Sequence, residues 1–269
     1  MPFTYFSHQA PVVAVKMRWP AHVDATAMAM GSMAPDWEYA LNGSRLDFDG
    51  HGVLAVLLFC TPIAVVAALV LRRVAPVLFA YVPSPSWMPL RQLRLLGTRR
   101  PSLPVTVVSA LLGAVSHVVW DLFTHNDRWG ARHIALLRST AVSAFGHDLT
   151  WAKVLQYAGH TLGAAIAVLL LARILRSGSL RRWYGLGPDP TTDLAAAPGA
   201  GRLRFWTAVM LGTAGGAAWA IAGASGLPAL VVRFSFGVAA GLVAGSLLCE
   251  NDVEPLSAPA RGQSRRASA

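Results

Sequence analysis

Five stretches of this chain are apolar for long enough to cross a lipid bilayer, and no other feature restricts its fold as strongly. Residues at about 53–71, 103–123, 154–175, 205–227 and 228–248 each approach or exceed the roughly 18–20 mostly apolar residues that a spanning helix needs. The fourth and fifth are separated only by the Gly226–Pro228 break, which reads as a tight hairpin or a pair of partly buried helices. Charged residues make up 13% of the chain, where an ordinary soluble domain carries about 25%. The expected fold is therefore all-α: a polytopic helical membrane protein, multi-pass in a cell membrane, with about five spanning helices. Two shorter segments, 9–19 and 22–34, joined at Pro20, are too short or too polar to span. They are expected to lie in the interface or to pack on the bundle.

The first eleven residues, MPFTYFSHQAP, lack a basic region followed by an apolar one, so the first spanning helix is expected to serve as the insertion signal. Cys60 and Cys249 both sit in apolar helices without CxxC spacing and read as small core residues. The net charge of +10 is not spread evenly. Loop 72–102 holds Arg72, Arg73, Arg91, Arg94, Arg99 and Arg100 without an acid, and loop 176–204 holds five arginines against Asp189 and Asp193. By the positive-inside rule these loops and the RGQSRRASA tail are cytoplasmic. The first 50 residues, with Asp24, Asp36, Glu38, Asp47 and Asp49, then lie outside together with loop 124–153. Basic clusters beside spanning helices orient a protein and touch anionic lipid, and no nucleic-acid motif accompanies them. Four regions follow: a metal-site helical core at 1–175, a basic cytoplasmic linker at 176–204, a C-terminal transmembrane pair at 205–248, and a disordered tail at 249–269.

The chemistry is concentrated in the core. In SHVVWDLFTH, residues 116–125, His117, Asp121 and His125 are spaced i, i+4, i+8 and fall within roughly 80° on one helical face. His51 lies just before the first span, this stripe ends the second, and His160 opens the third. A chain weaving up and down brings these places to one membrane surface, with His8 and Asp36 on the same side. Imidazole and carboxylate at one level suit a divalent ion, zinc or magnesium/manganese. Taken singly, His51, His125 and His160 also fit helix-end residues reaching the interface, and Asp36 fits a helix cap. His117 and Asp121 do not fit so easily, because ionisable groups inside a span are costly. His22, His133 and His147 read as solvated loop residues, and Trp120, Trp129 and Trp151 as an interfacial belt.

The blocks MPFTYFSH, GSMAPDWEY, the histidine opening the first span, and SHVVWDLFTH resemble the signature of a family of bacterial polytopic membrane proteins. That family is similar to the LexA-regulated inner-membrane metal-dependent hydrolases and, more distantly, to zinc-dependent phospholipase C. The resemblance covers roughly residues 1–175. It implies an α-helical metal-binding core with His8, Asp36, His51, His117 and Asp121 as ligands and His125 nearby. In this chain the first Ser-His stands in YFSHQAP, and Gly52 rather than Ser follows His51.

A divalent ion held by His and Asp suits hydrolysis of a phosphorylated lipid or other amphiphile at the membrane surface, with Asp36, Glu38 and His125 as catalytic candidates. The same constellation suits a magnesium-dependent terpene cyclase or prenyl-transferring enzyme acting on an isoprenoid diphosphate, although no DDxxD run is present. A third reading is a scaffold or transporter whose His and Asp relay protons. The partners expected are the membrane and a lipid or isoprenoid substrate, with no nucleic acid and no oligomeric state specified.

Overall fold

Each apolar segment becomes a helix because backbone N–H and C=O groups in hydrocarbon can only satisfy one another. The computed structural model describes residues 7–98, 100–144, 147–185, 196–223, 226–254 and 256. In chain order the elements are α1 (Gln9–Arg18), α2 (Ala25–Gly31), a 3₁₀ turn (Ala34–Ala40), α3 (Val53–Tyr81), α4 (Leu103–Thr124), α5 (Trp129–His133) and α6 (Ala135–Arg138). There follow β1 (Thr140–Ala144), β2 (His147–Thr150), α7 (Trp151–Arg176), α8 (Ser179–Trp183), α9 (Arg202–Gly223) and α10 (Leu227–Leu248). Among the described residues, helices α3, α4, α7, α9 and α10 are the five long and apolar enough to cross a membrane. Among the described residues the fold is all-α apart from one antiparallel pair, β1–β2, which sets Val142 against Leu149 and Ser143 against Asp148.

The described residues form two compact units, residues 1–65 with 103–170 and residues 66–102 with 171–269. The first contains every side chain singled out for chemistry. Its organising element is α4, which is built inside out. The buried face carries Thr106, Ser109, Ala110, Gly113, Ala114, His117, Asp121 and Thr124, while Val107, Val108, Leu112, Val115 and Val119 are exposed. Small and polar residues inside and large apolar ones outside is the arrangement expected where lipid replaces water.

The small residues admit α2. A Cβ on Gly31 would overlap the carbonyl of Ala110, and one on Gly113 would overlap that of Met28, so the two backbones are in direct contact. Asp24 locks the crossing. Its side chain caps α2 at Ala27 N–H (3.2 Å) and accepts from Thr106 Oγ1 (2.8 Å), while its own N–H donates to Ser109 Oγ (2.9 Å). Gln9 Nε2 donates to Ser32 Oγ at 2.8 Å, which ties α1 to the end of α2. The short N-terminal helices thus pack on the bundle.

Two boundaries differ from the expected ones. Helix α3 continues to Tyr81, beyond the expected end at 71, because Val74, Val77, Leu78 and Tyr81 bury themselves with Phe205, Val209 and Cys249. Arg72 and Arg73 are thus helical rather than part of a loop. The start of the expected disordered tail is ordered: Asp252 pairs with Arg204 at 2.8 Å and Glu250 with Arg73 at 2.5 Å. The remainder of that tail, residues 257–269, and residues 186–195 of the linker lie outside the described residues. In the second unit, α9 and α10 pack as a hairpin, one of the two arrangements the Gly226–Pro228 break allowed, with Gly212 and Gly216 against Gly241 and Gly237 and Gly226 at φ +111°. Cys60 and Cys249 are both free and buried, as small core residues are.

Candidate metal centre

Three segments of the first unit meet at one point. The 3₁₀ turn supplies Asp36, the stretch just before α3 supplies His51, and one face of α4 supplies His117 and Asp121. His117 Nε2 lies 3.5 Å from Asp36 Oδ1 and 3.3 Å from Asp121 Oδ2. His51 Nε2 lies 3.9 Å from Asp36 Oδ1 and 3.4 Å from Asp121 Oδ2. Two ligands each about 2.1 Å from a tetrahedral ion stand about 3.4 Å apart, so this set has the span of a first coordination shell. All four residues are buried. They form a cluster able to hold a metal ion.

The outer edges of the two imidazoles support the same conclusion. His117 Nδ1 donates to the backbone carbonyl of Ser32 at 2.7 Å, which leaves the lone pair of Nε2 pointing at the carboxylates. Nε2 itself is buried without a hydrogen-bond partner among the described residues. His51 Nδ1 sits 3.2 Å from Glu38 Oε1, so its Nε2 is likewise turned inward. A ring nitrogen tied to a carbonyl or carboxylate while its partner faces the centre is the usual device for orienting a metal-binding histidine.

Glu38, a catalytic candidate in the sequence, has both oxygens engaged, Oε1 by His51 and Oε2 by the N–H of Gly50. It holds His51 in place. Asp36 and Glu38 are two apart in a 3₁₀ turn and project differently, yet both reach His51 because that ring stands between them, one carboxylate at each nitrogen. Replacing Glu38 by Gln keeps the shape and the contact to Gly50 but weakens the grip on His51. Metal affinity, measured by competition with a chromogenic chelator, should fall about 10–100-fold. An unchanged affinity would remove Glu38 from the site.

His8 stands beside the cluster. It stacks on His117 with ring centroids 3.9 Å apart, and its Nε2 is 3.9 Å from Asp121 Oδ1. His125 occupies the more open edge, with 29% of its side chain exposed, its Nδ1 3.6 Å from Asp121 Oδ1 and its Nε2 2.6 Å from the amide of Gln156. His160 is buried among this group, on the face of α7 that also carries Gln156. Sequence reading passed over Gln156, although its i, i+4 spacing from His160 in a span was a usable signal. It could not have found the Ser32 carbonyl, which is backbone. Asp49 is an exposed rim residue paired with Arg128 at 3.3 Å.

Electrostatics follow from crowding carboxylates and imidazoles out of water. Burial opposes protonation of His51, but contacts with Asp121 and Glu38 outweigh it and hold the ring up at about 9. Burial would raise Asp36, yet His117 prevails and keeps it at about 2. Burial and the neighbouring His117 ring push His8 down to about 3, against the pull of Asp121 and Asp36. The balance is that of two buried carboxylates attracting positive charge, which a divalent cation supplies in full.

A protein-family model described as "Domain of unknown function (DUF4184)" matches residues 1–250. No curated protein and no solved structure matches the chain.

Proposed function

Since the chain belongs to the DUF4184 family, whose description assigns no activity, its function has to be read from its own side chains, and we propose a membrane-embedded hydrolase dependent on a divalent metal ion. The substrate class is a phosphorylated lipid or comparable amphiphile. The observation that carries this reading is the convergence of two histidine Nε2 atoms and two carboxylates, with each histidine's Nδ1 tied from behind. A donor set of two imidazoles and two carboxylates favours zinc, or manganese, over magnesium, which prefers oxygen ligands. When bound, such an ion polarises a phosphoryl oxygen and acidifies water.

The protein's own groups do the rest. Asp36 and Asp121 balance the ion's charge in a buried place, Glu38 and the Ser32 carbonyl hold the two imidazoles, and His125 marks the edge from which water and a headgroup enter. Trp120, exposed on α4 next to Asp121 in the chain, offers an apolar surface for acyl chains. The arginine-rich loops favour an extracytoplasmic position for the site.

The test is metal analysis of protein purified without chelator, followed by incubation with phosphatidic acid, phosphatidylglycerol and a polyprenyl phosphate in ¹⁸O-labelled water. Metal-dependent release of product carrying ¹⁸O is expected for at least one of them. A fully metal-loaded protein that hydrolyses none would defeat the reading.

A further inference from the structure

Beyond the four converging ligands, the first unit buries a second set of polar atoms that nothing in the metal centre uses. Gln156 and His160 lie one turn apart on α7 and therefore on one face. Both are more than nine-tenths buried, Gln156 4% and His160 5% exposed. The Gln156 amide is anchored through Nε2 on His125, which leaves its Oε1 buried without a hydrogen-bond partner among the described residues. Among the described residues neither ring nitrogen of His160 has a partner. The set adjoins the metal centre, because His125 touches Gln156 on one side and Asp121 on the other. His160 also lies close enough to His8 for its ring to disfavour a charge there.

The unmet hydrogen-bonding capacity identifies what would fill such a place. A neutral imidazole has one N–H and one lone pair, and an amide oxygen only accepts. Together Gln156 Oε1 and His160 therefore ask for at least two donors and one acceptor. An ionised phosphate offers acceptors alone and would face two lone pairs. A quaternary ammonium offers no hydrogen bond. A vicinal diol offers two donors and two acceptors and meets every demand; water does so too, and a preference for a hydroxylated over a plain alkyl phosphate separates the two.

We propose that Gln156 and His160 form a subsite for a hydroxylated headgroup, so that the substrate is a phospholipid whose phosphate is esterified to a polyol, glycerol or a sugar. This rests on the metal-dependent hydrolase reading and narrows it. The phosphoryl group is placed at Asp36, His51, His117 and Asp121, and the polyol reaches past His125 to α7. Gln156 and His160 are specificity residues that hold the headgroup and leave the metal to others.

The experiment uses the full-length, zinc-loaded protein in detergent and compares two probes of equal length, glycerol 1-phosphate and n-propyl phosphate, by isothermal titration. The wild type should bind glycerol 1-phosphate at least tenfold more tightly. Gln156→Leu and His160→Phe should each abolish that difference while retaining the wild-type metal content and gel-filtration profile. Equal binding of the two probes by the wild type, or a preference that survives in both variants, would overturn the subsite. So would loss of a metal ion on His160→Phe, which would make His160 a ligand instead. Metal is assayed in the same samples. A metal-free protein that still prefers glycerol 1-phosphate would refute the metal centre and keep the subsite, and a loaded protein without preference would do the reverse.

Discussion

Stripping the metal from the wild-type protein is expected to lower its melting temperature by on the order of 10 °C, and His117→Ala is expected to erase that response. An ion present at a thousandfold excess over its dissociation constant stabilises the folded state by about 4 kcal/mol. For a protein of this size each kcal/mol moves the melting temperature by about 2–4 °C. The physical source is the burial of Asp36 and Asp121, with side chains 9% and 7% exposed, beside two imidazoles whose Nε2 atoms face them at 3.3–3.9 Å. Without a cation, protons must be drawn onto the histidines to offset the carboxylates, as the raised His51 illustrates. His117→Ala removes one of four donors and the link to Ser32, so the variant should melt lower than the loaded wild type and ignore chelator. The competing possibility is a purely structural His–Asp network. It predicts a chelator-insensitive melting curve and no bound metal in protein purified without chelator, and that pair of results would reject the metal centre.

The second large effect belongs to a residue with no chemistry of its own. Gly31→Ala should destabilise the protein by about 3 kcal/mol, at the upper end of the usual cost of overpacking, because the new methyl meets the Ala110 backbone and no flexible side chain can yield. Gly215→Ala, the same change on α9 at a position with no heavy atom within 4 Å of the added Cβ, should be neutral or slightly stabilising. The effect should also reach the metal. Ser32 follows Gly31 directly, and its carbonyl orients His117, so forcing α2 away from α4 loosens that hydrogen bond. Metal affinity of the folded fraction is expected to fall about 10–100-fold. Equal thermal stability of the two alanine variants would show that the α2–α4 contact does not organise the site.

Much of this was legible in the chain because hydrophobicity is a local property. Five apolar segments required five helices, and the helices found follow those segments with modest changes at their ends. The i, i+4 pair His117 and Asp121 announced itself, since one helix carries both and the geometry of a single helix is known in advance. Asp36 and His51 were reachable by a topological argument alone: successive spans return the chain to the same surface. The extension of α3 to Tyr81 was not legible, because it depends on Phe205, Val209 and Cys249, more than a hundred residues away. The pairing of β1 with β2 was equally hidden in a segment without strong alternation.

What the sequence determined by itself is the solvent: an apolar, all-helical chain for a bilayer, with ionisable side chains that hydrocarbon would not tolerate without a purpose. What only the tertiary structure decided is the role of each of those side chains. Glu38 and Asp36 are the same kind of group two residues apart, yet one grips the outer nitrogen of His51 and the other faces its inner nitrogen. His117 has its tautomer chosen by the backbone carbonyl of Ser32, just past the end of α2. Such roles are set by which atoms stand within about 3–4 Å, where hydrogen bonding and coordination act. That distance is fixed by glycine-mediated contact between α2 and α4, residues 25–31 against 103–124, and spacing along the chain carries no record of it.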